Sequence, residues 1–285
     1  MKLKEVLDKS IQFFKDKKFD SPRLDAELLI SSALKMERMQ LYLKYESPLT
    51  EKEVSDCREV IRRRTQGEPV AYITEEKGFY GHIFKVGAGV LIPRPETEGL
   101  VEAATEFLKN KKILNPRILD LGAGTGCIGF SILKNIPEAT LVSVEKSPLA
   151  FKYLEINCEN LKLSDRAELI LKDVNDLNAS ELNMFDIIVA NPPYISMNDP
   201  EVETAVKKFE PAEALFAESE GLQLLKAWST QFAKNLKSPG LMQFEMGYLQ
   251  GATMQTHFES LQVFSKVSID KDLSGLDRII KGVRY

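Results

Sequence analysis

Histidine, cysteine and tryptophan are scarce in this chain of 285 residues, with two, three and one respectively. With only His82 and His257, and no cysteine pair at ligand spacing, no metal centre is expected. Cys57, Cys127 and Cys158 are far apart and odd in number, which argues against a disulfide framework and for a reducing compartment. No apolar run approaches the roughly 20 residues that a bilayer-spanning helix needs. The opening Met1-Lys2-Leu3-Lys4-Glu5-Val6 lacks a signal-peptide core. A cytoplasmic protein with no membrane partner is therefore expected. A basic surplus is also missing. The net charge of −4 counts against a chain whose main task is to grip a nucleic-acid backbone, so no direct nucleic-acid partner is expected. There is no internal repeat and no low-complexity tract.

What is present is ordinary globular material, 44% hydrophobic and 28% charged. The first seventy or so residues read as helices. Leu3, Val6, Leu7, Ile11 and Phe14 recur at helical spacing. Ser21-Pro22 is a helix start ahead of an expected apolar stripe of Leu24, Leu28, Leu29 and Ala33. Thr50 with Glu53 is a capping box for a helix that ends at Gly67. Gly78 to Val86, with its aromatic and β-branched residues, reads as a hairpin. Beyond Pro93 and Pro95, strand and helix patterns alternate. Strands are expected at Ile118–Leu121, Thr140–Val144, Ala167–Leu171, Phe185–Ala190, Gly240–Glu245, Val263–Ile269 and Arg278–Val283. The fold class is therefore α/β, with a mainly parallel seven-stranded sheet of Rossmann-like type. The organisation expected is a helical domain over 1–72, a hairpin linker over 73–92 and a catalytic domain over 93–285.

Two segments carry chemistry. In Asp120-Leu121-Gly122-Ala123-Gly124-Thr125-Gly126, glycines follow the first strand of that sheet and let the backbone approach a ligand closely. Glu145 after the second strand can accept from both ribose hydroxyls of an adenosine, and Asp173 after the third can meet the adenine amino group. Gly124, Gly126 and Gly129 also fit the dinucleotide fingerprint, and a tight turn without a ligand is a third reading. Asp120 tilts the choice towards S-adenosyl-L-methionine, whose product is S-adenosyl-L-homocysteine. A carboxylate there can bind the amino group of the methionine part, but would repel a pyrophosphate.

The second segment is Asn191-Pro192-Pro193-Tyr194, after the fourth strand and hence at the same sheet edge. A planar amide nitrogen has its lone pair delocalised and is a poor nucleophile. The Asn191 side-chain carbonyl and the Pro192 backbone carbonyl can hold its N–H groups, and Tyr194 can pack its ring on the planar group. Asn191, Pro192 and Tyr194 are thus the candidate catalytic residues, and Asn191 also borders the cofactor. The bland alternative is a rigid turn with a surface tyrosine.

Asp120–Gly126 together with Asn191–Tyr194 resembles the class I methyltransferases that modify planar nitrogens. Gly67–Ile73, Leu91–Glu98, Glu210-Pro211 with Ala214-Leu215, and Lys271–Arg278 narrow the resemblance to the peptide chain release factor glutamine methyltransferase (HemK/PrmC) family, in the same order over nearly the whole chain. The resemblance implies transfer of a methyl group to the side-chain N5 of the glutamine in the Gly-Gly-Gln motif of peptide chain release factors 1 and 2, by a monomer whose helical domain docks the substrate. It implies that Gly122, Ala123, Gly124, Thr125, Gly126, Glu145, Asp173 and Val174 line the cofactor, and that Asn191, Pro192, Pro193 and Tyr194 hold the amide. Arg94, Thr97 and Glu98 either frame the substrate pocket or anchor the loop and cap the next helix. Glu145 stands where aspartate is common, Val174 where an aromatic is frequent, and Thr74-Glu75-Glu76 where a glycine is usual. Methylation of a ribosomal-protein glutamine, methylation of DNA adenine N6 and a non-catalytic docking module are the alternatives. Trp228, His82 and the cysteines are expected to be structural.

Overall fold

The computed structural model describes residues 1–196 and 204–285. The chain divides into two compact units, Met1–Glu76 with Glu203–Phe209, and Lys77–Val202 with Glu210–Tyr285. No helix of the described residues is long and apolar enough to cross a membrane.

The first unit contains α1 (Leu3–Asp16), α2 (Pro22–Ala33), α3 (Arg38–Leu43), α4 (Glu51–Thr65) and α5 (Val70–Thr74). The Thr50–Glu53 capping box forms as its residue types require, with Thr50 N donating to Glu53 Oε2 at 2.8 Å. Leu3, Leu7, Phe14, Leu29, Ile30, Leu41, Cys57 and Ile73 close the core. The stripe expected on α2 is rotated: Leu24 is exposed, and Asp25, Ala26, Glu27, Leu29 and Ile30 are buried. The reason is a polar network that periodicity does not see. Asp25 pairs with Arg64 at 2.8 Å, and that guanidinium lies 4.5 Å from the centre of the Phe19 ring. Glu75, at the end of α5, takes a left-handed conformation, φ 59°, at the cost of a crowded Cβ.

From Lys77 on, the second unit opens with most of a two-stranded sheet, β1 (Glu76–Phe79) and β2 (His82–Lys85). Phe79 and Phe84 are buried in this unit's own core, in edge-to-face contact. There follow α6 (Glu98–Lys111), β3 (Arg117–Leu121), α7 (Cys127–Asn135), β4 (Thr140–Glu145), α8 (Pro148–Asn160), β5 (Ala167–Leu171), β6 (Phe185–Ala190) and the short β7 (Ile195–Ser196). After α9 (Thr204–Phe209), which belongs to the first unit, come α10 (Ala212–Leu215), β8 (Phe216–Ala217), α11 (Gln223–Phe232), β9 (Leu236–Glu245), α12 (Gly251–Ser260), β10 (Lys266–Lys271) and β11 (Asp277–Arg284). β9 begins four residues before its expected start, β10 begins three residues late and ends two late, and β11 is longer by one residue at each end.

The large sheet has the order β10-β11-β9-β6-β3-β4-β5. It is parallel except for β11, which runs against both of its neighbours. β3 lies between β4 and β6, so chain order reverses there and a crevice opens beyond the carboxyl ends. β6 is buried along its whole length, as a strand covered on both faces must be.

Candidate active site

A cavity lies at that crevice, walled by the loops that leave β3, β4, β5 and β6. It brings together Arg94, Thr97, Gly122, Ala123, Gly124, Thr125, Glu145, Asp173, Val174, Asn191 and Pro193. Asp120, Gly126, Glu98, Pro192 and Tyr194 are not among its lining residues.

Gly122, Gly124 and Gly126 all have left-handed φ, of 70°, 56° and 79°. The N–H groups of Gly122 and Ala123 both donate to the Val144 carbonyl at 2.9 Å, which folds the loop back over β4. Gly126 serves the fold more than the cavity. A Cβ there would sit 2.3 Å from Phe130 and 2.7 Å from Leu154. At Gly129 a Cβ would sit 2.7 Å from Leu141 and 2.9 Å from Asp120, so the spacing that fits a dinucleotide fingerprint here lets α7 approach the sheet.

Asp120 departs from its expected place. It is fully buried, and its Oδ2 accepts from Gly129 N at 3.0 Å. Burial pushes its pKa up to about 7, and the nearby Glu145 adds to the rise while the Gly129 N–H opposes it. The carboxyl group ties β3 to the start of α7 and does not reach the cavity wall. Glu145 does reach it. Its two oxygens accept from Gly124 N and Ser147 N, both at 2.8 Å. Burial raises its pKa, and these N–H groups limit the rise. Each carboxylate oxygen has a second acceptor site, so both can still take a ribose hydroxyl. Asp173 Oδ1 accepts from the backbone and side-chain nitrogens of Asn175.

The amide of Asn191 is held by Thr97, with Nδ2 donating to Thr97 Oγ1 at 3.2 Å. Tyr194 is anchored by its hydroxyl. It packs beside the core on one face of the sheet, and its phenol donates to Glu245 Oε1 at 2.8 Å. Burial and the Glu245 carboxylate raise the phenol's pKa. Pro192 is buried, and Pro193 contributes to the wall. The three residues left open before the next helix separate. Thr97 meets Asn191, whereas Glu98 accepts from Tyr80 N at 2.8 Å and anchors the hairpin turn. Arg94 lines the cavity, but its guanidinium is bound by Glu210 and by the Ile92 carbonyl. Glu210 also accepts from Ile92 N at 3.1 Å, so Glu210-Pro211 clasps the Leu91–Arg94 loop.

Sequence reasoning missed several wall residues. Trp228, expected to be structural, lines the cavity and donates from Nε1 to Asn175 Oδ1 at 3.1 Å. Cys127 lines it as well, with its pKa pushed up to about 12 by burial. Ser147 carried a readable signal, a helix start directly after β4. Trp228 carried none, because its placement depends on how α11 packs.

Two family models match the chain: the PrmC N-terminal domain over residues 5–74 and the Methyltransferase small domain over residues 98–270. The release factor glutamine methyltransferase of Rhodopirellula baltica is 34% identical over 278 residues, covering 96% of this chain and 94% of that protein. That of Chlorobaculum tepidum is 36% identical over 284 residues, covering 96% and 94%. The chain belongs to the release factor glutamine methyltransferase family. The hMettl16 catalytic domain, solved in complex with MAT2A 3'UTR hairpin 6, shares the fold at a TM-score of 0.55 and 18% identity, over 71% of this chain and 76% of that one. The class I methyltransferase fold follows. The glycine loop and Asn191 share one crevice because both leave adjacent parallel strands, β3 and β6.

Proposed function

We propose that this protein transfers a methyl group from S-adenosyl-L-methionine to the side-chain N5 of the glutamine in the Gly-Gly-Gln motif of class 1 release factors, peptide chain release factors 1 and 2. The observation that carries the reading is Asn191 on the wall of a cavity that also holds Glu145 and Asp173, in a chain whose relatives bear this activity in their names. The donor set fits the cofactor. Glu145 offers acceptors for a ribose and Asp173 a carboxylate for an adenine amino group. Val90, Ile92, Val174 and Trp228 offer apolar walls for the base. Bound there, S-adenosyl-L-methionine supplies a methyl group on a sulfonium sulfur, a donor that needs no further activation.

The chain's own residues then have a limited task. With Nδ2 engaged by Thr97, Asn191 has its Oδ1 available to accept an N–H of the substrate amide. The Pro192 carbonyl is the second acceptor in this reading. Held so, the amide nitrogen turns its lone pair towards the methyl group, and the charge developing on nitrogen is stabilised before a proton leaves to solvent. Most of the acceleration comes from positioning and from oriented dipoles. The helical unit is the docking element for the release factor in this reading, and its match to the PrmC N-terminal domain supports that role. Neither a ribosomal protein nor DNA adenine is named by the two relatives above. The test is incubation of purified release factor, ribosomal protein and DNA with the enzyme and labelled cofactor, followed by mass-spectrometric mapping. One added methyl on the Gly-Gly-Gln glutamine is expected, and label only on another substrate would refute the proposal.

A further inference from the structure

We propose that Trp228, acting through Asn175, is a positioning residue that sets Asp173 to read the base of the cofactor. Trp228 stands in α11, is 5% exposed, and belongs both to the core on that face of the sheet and to the cavity wall. Its six-membered ring lies against the glycine loop. A Cβ on Gly122 would stand 3.1 Å from Trp228 Cη2 and 3.3 Å from Cζ3. Its Nε1 donates to Asn175 Oδ1 at 3.1 Å. Gly122 follows β3 and Asn175 lies beyond β5, with β4 between those strands. The indole therefore bridges the two loops that flank Glu145, in the half of the cavity that Glu145 and Asp173 assign to a nucleoside.

The direction of these contacts follows from donor and acceptor types. An indole N–H can only donate, and an ionised carboxylate can only accept. Asn175 therefore turns Oδ1 to Trp228 and Nδ2 to Asp173, with Nδ2 donating to Asp173 Oδ1 at 2.9 Å. The Asn175 backbone N–H reaches the same oxygen at 2.8 Å. Among the described residues both bonds go to Oδ1, which leaves Oδ2 for the 6-amino group of adenine. One bond alone lets the carboxylate turn about it, and the second, from the side-chain amide, stops that turn.

The rest of α11 and the turn after it hold the loop by its backbone. Gln231 donates to the Val174 and Leu177 carbonyls at 3.3 and 2.7 Å, and Asn235 to the Ala179 carbonyl at 2.8 Å. Removing the indole N–H thus frees the Asn175 side chain without releasing the loop. The consequence falls on the choice of base. Adenine carries an amino group at position 6, whereas hypoxanthine carries a carbonyl there and an N–H beside it at position 1. A fixed carboxylate oxygen opposite position 6 meets the hypoxanthine carbonyl acceptor against acceptor. A carboxylate free to swing reaches the neighbouring N–H and accepts the wrong base.

This role presupposes the cofactor site of the proposed function, and binding measurements separate the two. Trp228→Phe keeps a ring and removes the N–H, and Asn175→Ala removes the link from an exposed position. Each is made in the full chain. Calorimetry gives Kd for S-adenosyl-L-homocysteine and for its hypoxanthine counterpart, S-inosyl-L-homocysteine. The preference for adenine is expected to fall about fivefold in each variant, the net worth of one hydrogen bond. The double variant is expected to be no worse than the poorer single variant. Trp228 is the sole tryptophan of the chain, so its emission is expected to change on titration with S-adenosyl-L-homocysteine, with the Kd that calorimetry gives. An indole that only fills the core would weaken both ligands alike and leave their ratio intact. An unchanged preference in Asn175→Ala, additive losses in the double variant, or unmoved emission at saturation would overturn the positioning role. Failure of the unaltered chain to bind S-adenosyl-L-homocysteine would overturn the cofactor reading and this role with it. Binding without transfer to release factor would overturn only the proposed substrate.

Discussion

In the helical unit, the buried carboxylates of α2 meet side chains that stabilise their charge. Asp25 pairs with Arg64, and Glu27 accepts from Tyr42 with Arg38 at 3.6 Å. In the sheet unit, Asp120 and Glu145 are buried against backbone N–H groups, and Glu245 against a phenol. Burial raises the pKa of all three. A paired charge is a fastener, and losing its partner is expected to weaken the fold. A carboxylate held at a strand end by backbone dipoles keeps lone pairs in reserve, at some cost to stability. Asp120 uses that arrangement to tie β3 to α7, whereas Glu145 turns it towards the cavity.

The widest test of that contrast is the pH dependence of stability. Asp120 keeps a proton up to about pH 7 in the fold, whereas an unfolded aspartate gives it up near 3.8. Between those values the folded state binds more protons, so stability falls as pH rises and is level above about 7. The loss from this group between pH 5 and pH 8 is expected to be on the order of 3 kcal/mol. Asp120→Asn should flatten the profile in urea titrations at the two pH values, and an unchanged slope would show that Asp120 does not titrate there. Of similar size, Asn191→Ala is expected to lower kcat by roughly 10²- to 10³-fold, the usual loss for one oriented polar group. The cofactor Kd should stay within about twofold in calorimetry. Comparable turnover in that variant would end the amide-acceptor mechanism.

Fasteners should respond in stability alone. Arg64→Ala leaves Asp25 buried without its partner and is expected to destabilise the helical unit by about 3 kcal/mol. Tryptic digestion and denaturant titration would register it, and a neutral result would remove the pair from the core's support. Glu145→Ala is expected to weaken the cofactor by about tenfold, the contribution of a charge-assisted hydrogen bond. Unchanged calorimetry would take Glu145 out of the site. The smallest effect belongs to Glu75→Gly, which relieves a left-handed φ and should raise stability by about 0.5 to 1 kcal/mol.

Much of this was legible in the chain. Period-two and period-3.6 patterns announced the strands and helices, because burial on one face leaves a periodic trace. Gly122, Gly124 and Asn191 were legible because they leave strands of one parallel sheet and must meet at its carboxyl edge. Other residues were not. The Leu24 stripe failed because Arg64, thirty-nine positions away from Asp25, set the buried face of α2. Asp120 looked available from its place before the glycines, and only the close packing of α7 on the sheet covered it. The partner of the Tyr194 hydroxyl could not be read either, since Glu245 lies fifty-one positions away.

By itself, the sequence determined the class of fold, the crevice and the identity of the amide group within it, since these depend on local pattern and on the order of strands. Only the tertiary structure decided which acids face the cavity, which are sealed beneath it, and that the Asn191 amide meets the Thr97 hydroxyl. Those outcomes depend on contacts between segments far apart in the chain, and periodicity and spacing carry no record of such contacts.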